Sequence, residues 1–377
     1  MGAATYDVAV IGAGIVGAAC AAELAAAGLR AVVIEPDIIG GGATSAGMGQ
    51  VVVMDDSEAQ FALCRYSQQL WDQLAPTLPR QCEFERCGTV WFAADGEEMA
   101  EARRKRDYYA ARGVESELLD ARALAEAEPN LRGGLAGGLL VPGDSVLYSP
   151  LAAVELIRRA TERGAEVLVG PRVVEFDEGE IVLNDGSRVS VGAIVLATGA
   201  LAARLLPGLE VRPRKGHLVI TDRYPGFIRH QTVELGYLKS AHSRDAESVA
   251  FNIQPRATGQ LLIGSSRQFG ASDLRVDREI VGRMLRRAFE FMPGLRALQA
   301  IRVWTGFRAA TPDGLPIVGP HPERPGLWLA TGHEGLGITT SLGSARLLAD
   351  RMLGRPTAIP IEPYLPDRFA HQAAAHG

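Results

Sequence analysis

A chain of 377 residues with 47% hydrophobic and 22% charged residues can bury a large core and exceeds the usual size of one compact domain, so two domains are expected. The net charge of -5 comes from acids and bases mixed along the sequence, with no basic block to neutralise a run of phosphates, which argues against a nucleic-acid partner. The first residues lack the pattern of a secretory signal, and no apolar run reaches the roughly 18 to 20 residues needed to span a bilayer, so a cytoplasmic protein is expected.

Residues Asp7 to Gly12 (DVAVIG) form a short apolar run ending in glycine, the pattern of a strand buried on both faces of a parallel sheet. An alanine-rich segment from Ile15 to Ala27 reads as a helix that stops at Gly28, and the apolar run Ala31 to Glu35 completes a βαβ unit. Gly12, Gly14 and Gly17 fall between the first strand and the helix as G-x-G-x-x-G. The first glycine permits a tight turn, the second lets the backbone approach a pyrophosphate, and the third allows the helix to pack closely on the strand. The helix start, with Ile15 and Val16 ahead of the third glycine, presents N–H groups and partial positive charge to phosphates. Glu35 ends the second strand, where an acid accepts hydrogen bonds from ribose hydroxyls. These features predict a dinucleotide site, compatible with FAD or NAD. The run from Gly40 to Gly49, which includes Thr44, Ser45, Ala46, Gly47 and Met48, is made of small residues that permit close approach to a large flat ligand.

Further along, GTVWFAA is the first of several short segments rich in β-branched and aromatic residues. Ser149-Pro150 is a helix start signal before LAAVELIRRATERG, and Ala193 to Gly199 (AIVLATG) reads as another buried strand that returns to the first sheet. GHLVITD, TVELGYLKSA, SVAFNIQ and QLLIGSS follow, separated by turn residues, and suggest antiparallel pairing in a second domain. Leu327 to Gly332 (LWLATG) repeats the strand-to-glycine form, and Thr339 to Leu353 reads as a helix. The domains are then discontinuous: a dinucleotide-binding domain over 1–80, 148–211 and 303–365, a substrate domain over 81–147 and 212–302, and a tail over 366–377. The four cysteines, Cys20, Cys64, Cys82 and Cys87, form no Cys-x-x-Cys pair, so reduced thiols and no metal site are expected.

Together these motifs resemble the D-amino-acid oxidase and glycine oxidase superfamily of flavoproteins, over almost the whole chain. The resemblance implies a Rossmann-like α/β FAD-binding domain with an inserted antiparallel-sheet substrate domain. It implies that the small-residue run lies along the flavin, that the backbone of Val173 meets the adenine, and that Ala197-Thr198-Gly199 is the family's A-[TS]-G strand end near the cofactor. The segment Gly332 to Thr339 opens the C-terminal helix, and its Gly335, Leu336, Gly337, Ile338 and Thr339 are expected beside the flavin N1/C2=O edge, where a helix start favours the anionic reduced ring. No cysteine lies beyond Cys87, which excludes a thioether link in that region, so non-covalent FAD is expected.

The stretch Trp304 to Gly319 resembles the superfamily signature G-x-R-P-x-[TS]-x-D-G-x-P-x-[IL]-G, whose arginine clamps the substrate carboxylate over the flavin. A fixed guanidinium can hold a carboxylate through two hydrogen bonds and so orient the α-carbon. Arg308 is accordingly the leading catalytic and cofactor-side candidate, a structural ion pair with an acid such as Asp313 being the other reading; Ala309 replaces the family proline. His333 stands either at the flavin rim or as a helix-entry histidine satisfied by backbone. Glycine oxidases tend to follow this histidine with Phe-Arg-Asn-Gly, whereas this chain has Glu334-Gly335-Leu336-Gly337. From the sheet domain, Tyr237 and His242 are catalytic candidates, with Lys239, Asn252 and Arg267 as further polar groups that alternation turns toward either a pocket or solvent.

Within the superfamily, RPRKGHLVITDRYPG, RHQTVELGYLKSAH, GQLLIGSSRQF and GHEGLGITT are most similar to the FAD-bearing β subunit of bacterial multi-subunit dehydrogenases acting on D-hydroxyproline, proline or opines. That likeness implies a hetero-oligomer whose companion subunits or interfaces carry an iron–sulfur cluster or FMN and can hold it at the inner face of a membrane. The alternatives are a stand-alone glycine, D-amino-acid or sarcosine-type oxidase that makes peroxide, and a non-catalytic flavin-bearing assembly subunit.

Overall fold

The computed structural model describes residues 6–236 and 247–369. The chain opens with β1 (Tyr6–Ile11), α1 (Ile15–Ala26) and β2 (Ala31–Glu35). Next come α2 (Gly42–Ala46), β3 (Gln50–Val51), α3 (Glu58–Leu74), β4 (Thr89–Ala93), α4 (Gly96–Ala110) and β5 (Glu117–Asp120). They are followed by α5 (Ala121–Ala127), β6 (Gly137–Val141), β7 (Ser145–Val146), α6 (Ser149–Thr161) and β8 (Glu166–Val169). β9 (Val173–Asp177), β10 (Glu180–Leu183), β11 (Arg188–Leu196) and α7 (Ala202–Leu205) precede β12 (Arg212–Thr221), β13 (Gln231–Glu234), β14 (Glu247–Pro255) and β15 (Leu261–Gln268). The chain closes with α8 (Arg278–Phe291), β16 (Ala300–Ala310), β17 (Ile317–Pro320), β18 (Leu327–Thr331) and α9 (Gly337–Met352).

One sheet has the order β17-β18-β11-β1-β2-β8, with β10 and β9 extending from β11 as a meander. β1 pairs in parallel with both β2 and β11, so the strand expected to return to the first sheet does so beside the glycine loop. Alternation along β1 sends Val8 and Val10 to one core and Ala9 and Ile11 to the other. The first core is shared with α1, α6 and α9, the second with the meander and α7. The alanines of α1, including Ala18, Ala21 and Ala25, are buried, and their small side chains let it lie close against α6 and α9. Each buried Val or Ile here contributes about 1.5–3 kcal/mol relative to exposure.

The second sheet runs β16-β12-β15-β14-β13-β4-β6-β5. It is mixed rather than antiparallel as expected: β13 pairs with β4 in parallel, from Gln231 opposite Thr89 to Glu234 opposite Phe92. The two strands come from separate excursions of the chain, so no hairpin forces them to run in opposite senses. α8 covers one face of this sheet. Its Ile280, Met284, Ala288 and Phe291 recur at helical spacing and pack with Val219, Phe251, Ile253 and Ile263. Asp277 caps α8, its carboxylate accepting the N–H groups of Glu279 and Ile280. The opposite face, at β16, β12, β15 and β14, meets α2 and the residues after it. Among the described residues no helix is long and apolar enough to cross a membrane.

Candidate active site

The glycine loop has the shape that its pattern requires. Gly12 has φ 101°, and a Cβ there would lie 2.8 Å from the carbonyl oxygen of Ala197, the residue after β11. A Cβ on Gly17 would collide with the carbonyl oxygen of Gly12, which fixes how closely α1 approaches the turn. Thr44 Oγ1 accepts the N–H of Ile15 at 2.9 Å, and its carbonyl accepts the hydroxyl of Ser149 at 2.9 Å. Ser149 therefore starts α6 as expected, but its side chain ties that helix to α2 instead of capping it. The N–H groups of Val16 and Gly17, in the first turn of α1, lie beyond reach of any helix carbonyl and face an anion-attracting helix start. The Glu35 carboxylate accepts the N–H of Ala13 at 2.8 Å and of Asp37 at 3.0 Å, which holds it at the edge of the same loop. Val173 is buried at the start of β9, and Gly199 follows β11 with φ 54°. Thr198 Oγ1 is buried without a hydrogen-bond partner among the described residues. A tight glycine turn, a helix start, an acid at the second strand and an unpartnered buried hydroxyl fit a dinucleotide such as FAD.

The small-residue run packs between the second sheet and the start of α9. A Cβ on Gly306 would collide with that of Ala46, and one on Gly47 would lie 2.9 Å from Ile338 Cδ1. Met48 Sδ lies under Gly264, and the Met48 carbonyl accepts the side-chain amide of Gln254. Gln50 donates from Nε2 to Asn252 Oδ1 at 3.2 Å, while Thr339 Oγ1 donates to the Gln50 carbonyl at 2.9 Å. Ser45 turns outward, its hydroxyl on the carbonyl of Gly42. Leu336 precedes α9 without a side-chain cap, so the N–H groups of Gly337, Ile338 and Thr339 form an open helix start. Trp71 steadies this turn, its indole N–H shared between the carbonyls of Ile338 and Thr339 at 3.2 Å each.

Arg308 stands on β16, on the face that meets this run. Arg214, Gly216 and Leu218 on β12 lie opposite Arg308, Gly306 and Trp304 and share that face. The Arg308 guanidinium lies over Gly216, where a Cβ would come within 2.8 Å of its Cζ, and Nη1 donates to the Ser266 carbonyl at 3.0 Å. Asp313, the acid considered as a structural partner, is instead bound by Arg368 at 2.7 Å. On the reverse face His217 is fully buried. The N–H of Asp277 donates to its Nε2 at 3.0 Å, which leaves the proton on Nδ1, 3.0 Å from Ser266 Oγ. Burial, and then the nearby Lys215 ammonium, hold the His217 imidazole below its ordinary pKa, so it is neutral.

His333 is buried with Nε2 3.0 Å from Ser344 Oγ, so a side chain of α9 rather than backbone satisfies it. Burial pushes its imidazole down to about 3, leaving a ring of little basicity. Glu334, next in sequence, adopts φ 50° and reaches Arg214, with Nη1 2.8 Å from Oε1. A Cβ on Gly335 would lie 3.7 Å from Arg308 Nε. Arg267 pairs with Ser248 across β15 and β14. Tyr237, Lys239 and His242 lie outside the described residues.

The chain matches the FAD dependent oxidoreductase family (DAO) over residues 7–351 and belongs to it. It is 31% identical over 374 residues to a glycine oxidase of Geobacillus kaustophilus (strain HTA426), covering 95% of this chain and 96% of that one. A crystal structure of glycine oxidase from Geobacillus kaustophilus matches with a TM-score of 0.86 at 30% identity, over 96% of this chain and 98% of that chain. The hydrogen cyanide synthase subunit HcnC of Pseudomonas aeruginosa is 26% identical, with 98% of each chain covered. The L-proline dehydrogenase of P. horikoshii shares the fold, with a TM-score of 0.88 at 24% identity over 98% of this chain and 99% of that chain. The family resemblance, the Rossmann-like domain with a second sheet domain, and the expected class of FAD-dependent oxidoreductase with non-covalent FAD are all met.

Four residues of this arrangement escaped the sequence: Arg214, Gly216, His217 and Ser266. Gly216 alone carried a signal, since a glycine inside a strand pattern marks a close approach to the backbone.

Proposed function

We propose that the protein oxidises the C–N bond of a small α-amino acid, with Arg308 holding the substrate carboxylate and the α-carbon turned toward the small-residue run. FAD, when bound, supplies the hydride acceptor, and the imino acid formed hydrolyses to an oxo acid and ammonia or an amine. The observation that carries this reading is the guanidinium of Arg308 laid over Gly216. It is part-buried, tied to the Ser266 carbonyl, and on the face that meets Ala46 and Met48. Such a group binds a carboxylate at fixed orientation and loses little freedom on doing so. The loop from His333 to Leu336 closes the same region from the other side, and its histidine, neutral and bound to Ser344, serves packing rather than proton transfer. The remaining cofactor contacts proposed are Gly12, Gly14, Ile15, Val16, Gly17, Glu35, Thr44 to Met48, Val173, Thr198, Gly199 and Gly335 to Thr339.

Glycine is the first substrate to test, because a glycine oxidase is among the relatives aligned over nearly the whole chain. A second reading is a dehydrogenase subunit for D-hydroxyproline, proline or an opine that passes electrons to partner subunits bearing an iron–sulfur cluster or FMN. The likeness to a subunit such as HcnC favours it. A non-catalytic role would leave the Arg308 arrangement without a purpose.

Anaerobic mixing of the purified flavoprotein with glycine, sarcosine, D-alanine, L-proline, cis- and trans-4-hydroxy-D-proline and an opine, followed by air, separates these readings. Bleaching near 450 nm by glycine or D-alanine with fast reoxidation and peroxide supports the oxidase. Bleaching by a hydroxyproline with slow reoxidation supports the dehydrogenase subunit. A flavin that no amino acid bleaches contradicts both.

A further inference from the structure

Arg214 and Arg308 are direct cross-strand partners on β12 and β16, and alternation turns both toward the face that meets Ala46 and Met48. Like charges in that relation repel unless each is met by an anion. Arg308 meets the substrate carboxylate on the reading above, and Arg214 meets Glu334. Arg214 Nη1 donates to Glu334 Oε1 at 2.8 Å, and the two side chains are only 11% and 20% exposed. Glu334 reaches this place from a left-handed backbone conformation, φ 50°, that a glutamate disfavours. Its N–H is fixed to the carbonyl of Ala309, next to Arg308, at 2.9 Å. The following residue, Gly335, then brings only backbone to the side chain of Arg308. The loop thus delivers its one carboxylate to Arg214.

Arg214 has donor capacity beyond that bond. Its Nε is buried without a hydrogen-bond partner among the described residues, and the ring of Phe269 lies 4.6 Å from the guanidinium on another side. One bound carboxylate takes Arg308 on the reading above; a second would have to turn to Arg214, where it meets the carboxylate of Glu334 in a partly buried site.

We propose that Arg214 is a second anion subsite plugged by Glu334, and that the plug restricts the site to amino acids bearing a single carboxylate. This rests on the Arg308 reading and narrows its substrate class. Amino acids with an acidic side chain or an N-carboxyalkyl group are excluded by an internal competitor, which removes opines from the candidate substrates and leaves those with one carboxylate. Removing that competitor opens a site that spans two arginines and holds two carboxylates.

The test uses the oxidised holoenzyme and two anions without a C–N bond, acetate and malonate, with dissociation constants read from the perturbed flavin absorbance and from the thermal shift. In the wild type malonate binds no more tightly than acetate. In Glu334→Gly, a substitution suited to positive φ, malonate tightens about tenfold or more while acetate changes less than about threefold. Glu334→Gln, which keeps the shape and removes the charge, moves malonate in the same direction by less. Adding Arg214→Met to Glu334→Gly abolishes the gain. The proposal is overturned if both Glu334 variants bind acetate as the wild type does and malonate no tighter, or if the gain survives Arg214→Met. Acetate binding that Arg308→Met leaves unchanged would instead overturn the clamp reading, while the Arg214 dependence of malonate binding would still report on the subsite.

Discussion

Gly216 lies directly beneath the guanidinium of Arg308, where a Cβ would intrude to within 2.8 Å of Cζ. The strand backbone is at that point the floor on which the arginine rests, and any side chain would lift it. Gly216→Ala is expected to raise KM for the amino-acid substrate about tenfold or more, with a smaller effect on FAD retention. Steady-state kinetics together with the flavin content of the purified variant check this, and an unchanged KM would show that the guanidinium has room to move.

His217 acts on Arg308 through Ser266, whose backbone carbonyl accepts from Arg308 and whose hydroxyl meets the His217 ring. His217→Phe removes the acceptor for the Asp277 N–H and the donor to Ser266, leaving buried polar groups unpaired at a cost of about 1–3 kcal/mol. A lower Tm accompanied by a raised KM is expected. A lower Tm with KM unchanged would mean that the histidine serves only the fold.

Glu35 holds two backbone N–H groups while keeping acceptor capacity for a ligand. Glu35→Gln replaces a charged acceptor by a neutral one, and FAD affinity of the apoprotein is expected to fall about tenfold. Fluorescence titration with FAD reads this directly, and an unaltered affinity would remove Glu35 from the cofactor site.

Asp144 is fully buried between α3 and the second sheet, accepting from Val53 N–H and Gln68 Nε2, and burial pushes its carboxyl up to about 7. An acid whose folded pKa exceeds its unfolded value of about 4 binds more protons folded than unfolded between those limits. Its contribution is therefore intact below about pH 4 and is lost as pH rises through 7. Asp144→Asn is expected to be more stable than the wild type at pH 8, by on the order of 1 kcal/mol, with the difference shrinking toward pH 5. Thermal melts at both pH values decide it, and a variant less stable at pH 8 would show that the ionised carboxylate is well compensated.

The N-terminal βαβ unit was legible because each of its features is local: β2 spans Ala31–Glu35 as read, and α1 starts at Ile15 as read. The same is true of the glycine turn, whose collisions at Gly12 and Gly17 follow from the spacing of three residues. The sheet domain was legible only as a set of strands. Hydrophobic pattern marks a strand but not its neighbour, and the parallel partnership of β13 with β4 joins residues about 140 positions apart with no turn to announce it. The surroundings of Arg308 were hidden for the same reason, since Gly216, Ser266 and Gly335 reach it from three separate segments. His333 shows the converse, a histidine conspicuous in sequence that the fold buries against Ser344.

The central claim, that Arg308 holds the carboxylate of a small amino acid beside the flavin, is tested most directly by anaerobic stopped-flow reduction of the wild type and of Arg308→Met by the best substrate of the panel. The account predicts that the variant retains FAD and a native melting profile while its rate of flavin reduction at subsaturating substrate falls by about a hundredfold or more. A variant reduced as fast as the wild type, at the same substrate dependence, would contradict it.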